Sequence, residues 1–133
     1  MKKLIYSLLI ISILSLLFTA CKKKEVELTT AEKVHGTWQL QTDIYHEMVG
    51  GVEFSDTTKG SGESVEFRGN GYAYSNYQGQ TDSSAYTITG DTQITLEGTG
   101  TFTIKSLTGN SFVLYMKESS GADFYEETIS LAK

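Results

Sequence analysis

Few residues in this chain have the type and spacing that catalysis or metal binding requires. Cys21 is the only cysteine, His35 and His46 are the only histidines, and the sequence contains no Gly-x-Ser-x-Gly nucleophile motif. The histidines fall in a turn and near a strand end, without the further ligands that zinc needs. Glu126 and Glu127 are adjacent, so on a strand they point to opposite faces and cannot flank one bond. The sequence therefore predicts no catalytic residue, no metal site and no cofactor.

Cys21 is the one residue whose chemistry can be identified, and it is that of a lipid anchor. A positive start, Met1-Lys2-Lys3, precedes a mostly apolar run over residues 4–18 and two small residues, which is typical of a cleaved signal peptide. The alternative is an uncleaved anchor helix, but the run is shorter than the ~20 residues of a typical span. Residues 17–21, Leu-Phe-Thr-Ala-Cys, resemble the lipobox of bacterial lipoproteins. This implies a signal peptide over 1–20, a tether over 21–28 and membrane attachment through acylated Cys21.

The same resemblance implies a location in the cell envelope. By the rule for enterobacterial lipoproteins, the absence of aspartate after the cysteine implies transport to the outer membrane. Lys22, Lys23 and Lys24 argue for the periplasmic side, and a surface-facing position is the open alternative.

Charge and length limit the partners of the mature chain. Loss of residues 1–20 would remove two of the 11 basic residues and none of the 16 acidic ones, which leaves a net charge of −7. Nucleic-acid binding needs a basic surface, so we expect no such partner. Residues 29–133 suit one compact domain.

Local patterns predict one helical turn followed by an all-β domain. Thr29 and Glu32 have the spacing of a capping box, and Gly36 ends the turn. From there on, short segments rich in Thr, Tyr, Phe and Ile alternate with turn residues, as in antiparallel hairpins. Eight or nine strands are predicted, arranged as a closed up-and-down barrel or as a sandwich. The barrel is favoured because the chain has no proline to protect an edge strand.

Period-two alternation predicts which side chains point inward. On the first strand these are Trp38, Leu40, Thr42 and Ile44, and a two-residue turn at Asn70 would place Val65, Phe67, Tyr72 and Tyr74 on the same face. The other predicted inner residues are Tyr86, Ile88, Ile94, Leu96, Phe102, Ile104, Phe112, Leu114, Met116, Tyr125, Ile129 and Leu131. Glu127 lies two residues after Tyr125 and therefore also points inward. A carboxylate at such a position predicts that Glu127 lies at a strand end or in a solvated interior. The glycine-rich stretch Met48 to Gly62 is expected to hold a strand near Val52–Asp56 between mobile loops that could act as a lid.

Four segments, taken in order, resemble the lipocalin-like lipoproteins of Gram-negative bacteria. They are Gly36-Thr37-Trp38 after the helical turn, the hairpin over residues 65–74, the strand pair over 84–96 and the hairpin over 104–114, so the resemblance covers roughly residues 34–117. It implies an up-and-down barrel with Trp38 at its closed end. Lipocalins usually place an arginine from a late strand across this tryptophan. The only arginine here is Arg68, in a predicted turn.

Two functions are compatible with these observations. The first is a lipid-anchored binding module that takes a small apolar or amphipathic molecule, with Tyr74, Tyr86, Phe102 and Leu114 as candidate ligand contacts. The second is a non-enzymatic structural or accessory lipoprotein whose barrel is filled by its own side chains and which docks an envelope protein. An eight-stranded barrel is only just wide enough for side chains to fill, so the enclosed volume distinguishes the two.

Overall fold

The structure, a computed structural model, describes residues 27–133. The predicted signal peptide, Cys21 and the tether before Glu27 lie outside the described residues. No helix within residues 27–133 combines the length and the apolar character needed to span a membrane.

One short helix and nine strands make up the described chain. In chain order they are α1 (Thr30–Val34), β1 (Gly36–Val49), β2 (Val52–Lys59), β3 (Ser64–Phe67), β4 (Tyr72–Tyr77), β5 (Gln80–Thr89), β6 (Gln93–Leu96), β7 (Gly100–Leu107), β8 (Ser111–Ser120) and β9 (Asp123–Ala132).

Eight of the strands close into an antiparallel barrel. From β3 to β9, each strand pairs with the next one in the chain, and β1 closes the ring by pairing with β3 on one side and with β9 on the other. The ninth strand, β2, pairs with the later part of β1, beyond β3. The predicted all-β barrel is therefore confirmed, and the sandwich alternative is excluded by the β1–β9 pairing.

The short helix caps one end of the barrel, as the sequence predicts. Thr29 and Glu32 form both hydrogen bonds of the capping box, and Thr30 Oγ1 donates to Asp91 Oδ1 at 2.8 Å, which ties α1 to the turn after β5. Trp38 is fully buried below the helix, and its indole N–H donates to the carbonyl oxygen of Val34 at 2.7 Å. This end of the barrel is therefore closed by side chains.

The closed end holds most of the hydrophobic core. Phe112 packs against Trp38 and Phe67 with ring centroids 5.3 and 5.9 Å apart, and Phe67 meets Tyr86 edge to face. The predicted inner residues that are buried are Trp38, Phe67, Tyr86, Ile94, Phe102, Phe112, Leu114, Met116 and Leu131. Lys133 is the cation over the Trp38 ring, with its Nζ 4.4 Å from the ring centre.

The predicted inner face of β1 is wrong beyond Leu40, because the strand contains a bulge. The pairing of β1 with β9 shifts between Leu40 and Thr42, so one extra residue, Gln41, enters the strand. Every later side chain is thereby moved to the other face. Thr42 and Ile44 lie on the outside, where Ile44 is 43% exposed, and the inner positions are taken by Asp43 and Tyr45.

The predicted inner face of β4 is also wrong. The β3–β4 hairpin is built on an odd number of loop residues, with Phe67 opposite Ala73 and with a turn bond from the Gly71 N–H to the Arg68 carbonyl oxygen. Gly71 has a φ of +82°, as in a three-residue loop that ends in a left-handed residue. A loop with an odd number of residues places the side chains of β4 on the opposite faces from those that a two-residue turn would give. Ala73 is therefore buried, and Tyr72 and Tyr74 lie on the outer surface.

Four strand ends extend beyond the barrel as a sheet, which we call the projecting sheet: β2, the later part of β1, the early part of β9 and the end of β8. The expected strand in the Met48 to Gly62 stretch is confirmed, but it spans Val52–Lys59 and is paired along its whole length with β1. Its residues are exposed. This stretch is therefore mostly a paired strand at the open end of the barrel, with a turn at Gly50 and Gly51 before it and a short connection from Gly60 after it.

Candidate functional site

The open end of the barrel contains a cavity of about 210 Å³ between β1, β3, β4 and β9, which we call the mouth cavity. Its floor consists of four apolar side chains that pack on the core: Leu40, Val65, Ile129 and Leu131. Its rim is polar and consists of Asp43, Glu63, Ser64, Ser75, Asn76 and Tyr77. An apolar floor with a polar rim is the arrangement that accommodates a small amphipathic molecule.

Two larger depressions lie outside the barrel. One, of about 280 Å³, lies at the tip of the projecting sheet, and the other, of about 450 Å³, lies beside α1. Neither is lined by a buried residue of the hydrophobic core, whereas the floor of the mouth cavity includes the buried core residue Leu131. The mouth cavity is therefore the candidate site.

Asp43 is the most unusual residue of the cavity wall. The bulge in β1 turns its side chain inward, where Oδ1 is buried and finds no hydrogen-bond donor among the described residues. Burial, together with the neighbouring carboxyl group of Glu127, raises the pKa of Asp43 to about 6. Protonated Asp43 can donate to Glu127, but the ionised form leaves a buried oxygen unpaired, which costs free energy.

Glu127 lies next to Asp43 on the inner face, as its parity with Tyr125 predicts. It is directly opposite Tyr45 on β1 and accepts a hydrogen bond of 2.7 Å from the Tyr125 hydroxyl group. Burial and this hydrogen bond to Glu127 raise the pKa of Tyr125. Of the two expectations for Glu127, the structure supports a polar interior at the barrel mouth.

Aromatic rings continue from the two carboxyl groups along the inner face of the projecting sheet. The ring centres of Tyr45 and Tyr125 are 5.2 Å apart, and those of Tyr45 and Phe54 are 5.9 Å apart. The three rings belong to β1, β9 and β2, so they form a row across the sheet. This row lies next to Glu127, to which the Tyr125 hydroxyl group donates.

Glu126 has the opposite orientation to Glu127, as predicted, and belongs to a network on the outer face. His46 lies between Glu126 and Glu53, with nitrogen to oxygen distances of 3.0 and 2.7 Å, and both carboxylates raise the pKa of the imidazole. Lys117 and Tyr115 also donate to Glu126, whose pKa is lowered to about 2, mainly by the hydrogen bond from His46. These bonds tie the four strands of the projecting sheet together, a role of His46 that the sequence did not reveal.

None of the four candidate ligand contacts lines the cavity. Tyr86, Phe102 and Leu114 point inward as predicted but pack in the core, where the Tyr86 hydroxyl group donates to the carbonyl oxygen of Arg68. Tyr74 lies on the outer face with the Arg68 guanidinium 4.1 Å from its ring centre, so its predicted inward position is wrong. The mouth cavity is lined by a different set of residues, which the sequence analysis did not identify as a site.

Fold and cavity together define a class: a small closed β-barrel with a polar-rimmed cavity at one end, which is an architecture suited to binding small molecules. Residues 34–114, more than half of the chain, match the sequence model of the lipocalin-like domain family. The chain belongs to this family, which confirms the lipocalin-like domain in the predicted resemblance. Searches of curated proteins and of solved structures found no match. The second carboxyl group, Glu127, lies beyond the matched residues.

Proposed function

We propose that this protein is a lipid-anchored binding protein of the bacterial outer membrane, and that its barrel takes up a small amphipathic molecule at the open end. The observation that carries the proposal is the mouth cavity, with its apolar floor of core side chains and its polar rim. At about 210 Å³ the cavity is smaller than the ~300–1,000 Å³ of typical drug-sized sites. The proposed ligand is therefore a small molecule.

The described chain is compatible with an anchor at Cys21. It begins at Glu27, three residues before α1, and α1 covers the closed end above Trp38. A tether to an acylated Cys21 would join the described chain at this closed end. An acyl group on Cys21 would leave the open end with its cavity accessible from the side away from the membrane.

We expect the neutral fluorophore N-phenyl-1-naphthylamine to bind one-to-one, with an affinity in the micromolar range, near −8 kcal/mol. Fluorescence titration of the unacylated chain over residues 21–133 measures this. Replacing Ser75, an exposed inward-facing residue of the rim, with tryptophan should abolish the binding because the indole fills the cavity. The matched control is Thr87→Trp on β5, an exposed position that does not line the cavity.

Circular dichroism keeps this test interpretable, since both variants should retain the β-sheet spectrum of the parent. Saturable binding that Ser75→Trp abolishes and Thr87→Trp preserves supports the mouth cavity as the site. Equal binding by both variants would move the site elsewhere. No saturable binding by the parent would contradict the proposed function.

The anchor makes a separate prediction. Cys21→Ala should release the protein from the membrane fraction, because no acyl chain can be attached to alanine and several chains at ~0.8 kcal/mol per buried methylene provide the attachment. Cell fractionation with immunoblotting measures the distribution. Ser15→Ala, within the apolar run, is the control and should remain membrane-bound. A Cys21→Ala protein that sediments like the parent would mean that residues 4–18 are a retained anchor helix.

A second candidate function is that of an accessory protein that docks a protein of the envelope. The observation in its favour is the tip of the projecting sheet, where Val49, Val52 and Phe54 are 58%, 71% and 54% exposed. Among the described strands, β2 has a neighbour on one side only, so its other edge is free to accept a strand from a partner. Absence of probe binding would leave this function in place of the first.

A further inference from the structure

We infer that the molecule bound at the mouth cavity carries a positively charged ammonium group, held by Asp43 with Glu127 beside it, and an apolar part that lies on Leu40, Val65 and Ile129. This inference rests on the proposed binding function and adds the chemical class of the ligand. Four features of the site support it: the buried oxygen of Asp43, the charge of the lining, the neighbouring aromatic residues and the apolar floor.

The first feature is a buried oxygen that lacks a donor when Asp43 is ionised. Asp43 lines the cavity, and its carboxyl group is satisfied by Glu127 only in the protonated form; when it is ionised, Oδ1 has no donor within residues 27–133. Buried polar groups in folded proteins are nearly always hydrogen-bonded, so a donor entering the cavity would complete the ionised form of Asp43. An ammonium group offers three donors and no acceptor, and its charge would also stabilise the ionised carboxylate.

The second feature is the charge of the surroundings. Asp43 and Glu63 line the cavity, and no lysine, arginine or histidine is among its lining residues. Glu127 and Asp56 lie near enough to Asp43 to raise its pKa. These carboxyl groups repel an anionic ligand such as a fatty acid and attract a cation, so the site discriminates by charge.

The third feature is the pair of rings next to the carboxyl groups. Tyr45 is opposite Glu127 in the strand register, and the Tyr125 hydroxyl group donates to Glu127, so both residues are neighbours of the second carboxyl group. Ring faces attract ammonium groups, and a carboxylate with aromatic neighbours is a more favourable cation site than a carboxylate alone. The apolar floor then accepts the hydrocarbon part of the ligand, whose burial is worth ~0.8 kcal/mol per methylene.

The test compares three molecules of equal chain length and different charge: n-heptylammonium, 1-heptanol and heptanoate. Isothermal titration calorimetry with the unacylated chain over residues 21–133 should show n-heptylammonium binding at least tenfold more tightly than 1-heptanol, and no binding of heptanoate. Equal affinity for n-heptylammonium and 1-heptanol would overturn the inference and leave the binding function intact. No binding by any of the three, together with no binding of the neutral fluorophore, would overturn both.

Two variants locate the selectivity. Asp43→Asn and Glu127→Gln keep the shape of each side chain, and each should reduce the preference for n-heptylammonium over 1-heptanol to less than threefold. Affinity for 1-heptanol should stay within threefold of the parent, which shows that the cavity is intact. The control Glu97→Gln removes one exposed carboxylate that does not line the cavity, and it should retain the full preference. A preference unchanged in both Asp43→Asn and Glu127→Gln would overturn the inference.

The pH dependence gives an independent readout. The groups that face Asp43 are Tyr45 on β1, Asp56 on β2, Glu127 and Tyr125 on β9, and Glu63 before β3. Burial and Glu127 raise the pKa of Asp43 to about 6, so below this pH the carboxyl group is protonated and neutral. An alkylammonium, like lysine, stays protonated throughout. Affinity for n-heptylammonium should therefore rise several-fold from pH 5 to pH 7 in the parent and stay nearly flat in Asp43→Asn. A flat profile in the parent would contradict the role of Asp43.

Discussion

Replacing Trp38 with alanine is expected to lower the free energy of unfolding by about 3–5 kcal/mol, the usual cost of truncating a large buried aromatic side chain. Trp38 is fully buried and packs on Phe112 at a centroid distance of 5.3 Å. Its indole N–H also bonds the Val34 carbonyl oxygen, and Lys133 lies over its ring. The substitution therefore leaves a cavity and also removes contacts that hold α1 and the end of the chain against the barrel.

Denaturant unfolding followed by circular dichroism measures this loss. The matched control is Tyr72→Ala, which removes an aromatic ring that is 46% exposed on the outer face of β4, and it should cost less than about 1 kcal/mol. A Trp38→Ala loss as small as that of the control would mean that the closed end of the barrel tolerates the cavity or collapses into it.

Much of the fold could be predicted because the hairpin signals are local. The capping box at Thr29 and the alternation on either side of Gly90 and Gly109 depend on a few neighbouring residues, and each predicted pairing is present. Which side chains of a strand point toward the core is harder to predict than the pairing, because a single inserted residue reverses the assignment. Asn70-Gly71 is compatible with two-residue and three-residue loops, and the choice of the longer loop moved Tyr74 to the outside.

The candidate site could not be predicted from the sequence because an inserted residue in β1 reversed the face on which Asp43 lies. Glu127 could be recognised as an inward-facing acid from its parity with Tyr125, but its partner Asp43 was assigned to the outer face. The bulge at Gln41 depends on the long-range pairing of β1 with β9, and it has no local sequence marker such as glycine or proline. Ile44, an apolar residue on the outer face, reinforced the wrong assignment. The two carboxyl groups could therefore be brought together only by the tertiary structure.

The second large effect is expected at Gly60, which lies between β2 and β3 beside the bulge. Its N–H donates to the carbonyl oxygen of Gln41, and a Cβ atom at this position would overlap the carbonyl oxygen of Leu40. The clash is with backbone, so no side-chain rotation relieves it. Gly60→Ala should therefore lower the free energy of unfolding by about 3 kcal/mol, at the upper end of the range for overpacking.

Gly109→Ala is the control for this prediction, because a Cβ atom there meets no atom within 4 Å. The expected change is about 0.5 kcal/mol or less, as for an ordinary surface substitution. Gly60→Ala should also weaken fluorophore binding, because Leu40 belongs to the cavity floor and Asp43 follows the bulge that Gly60 supports. A variant with the stability of Gly109→Ala and unchanged binding would show that β2 and β3 can move away from β1 freely. In that case the close approach at Gly60 does not fix the inward position of Asp43.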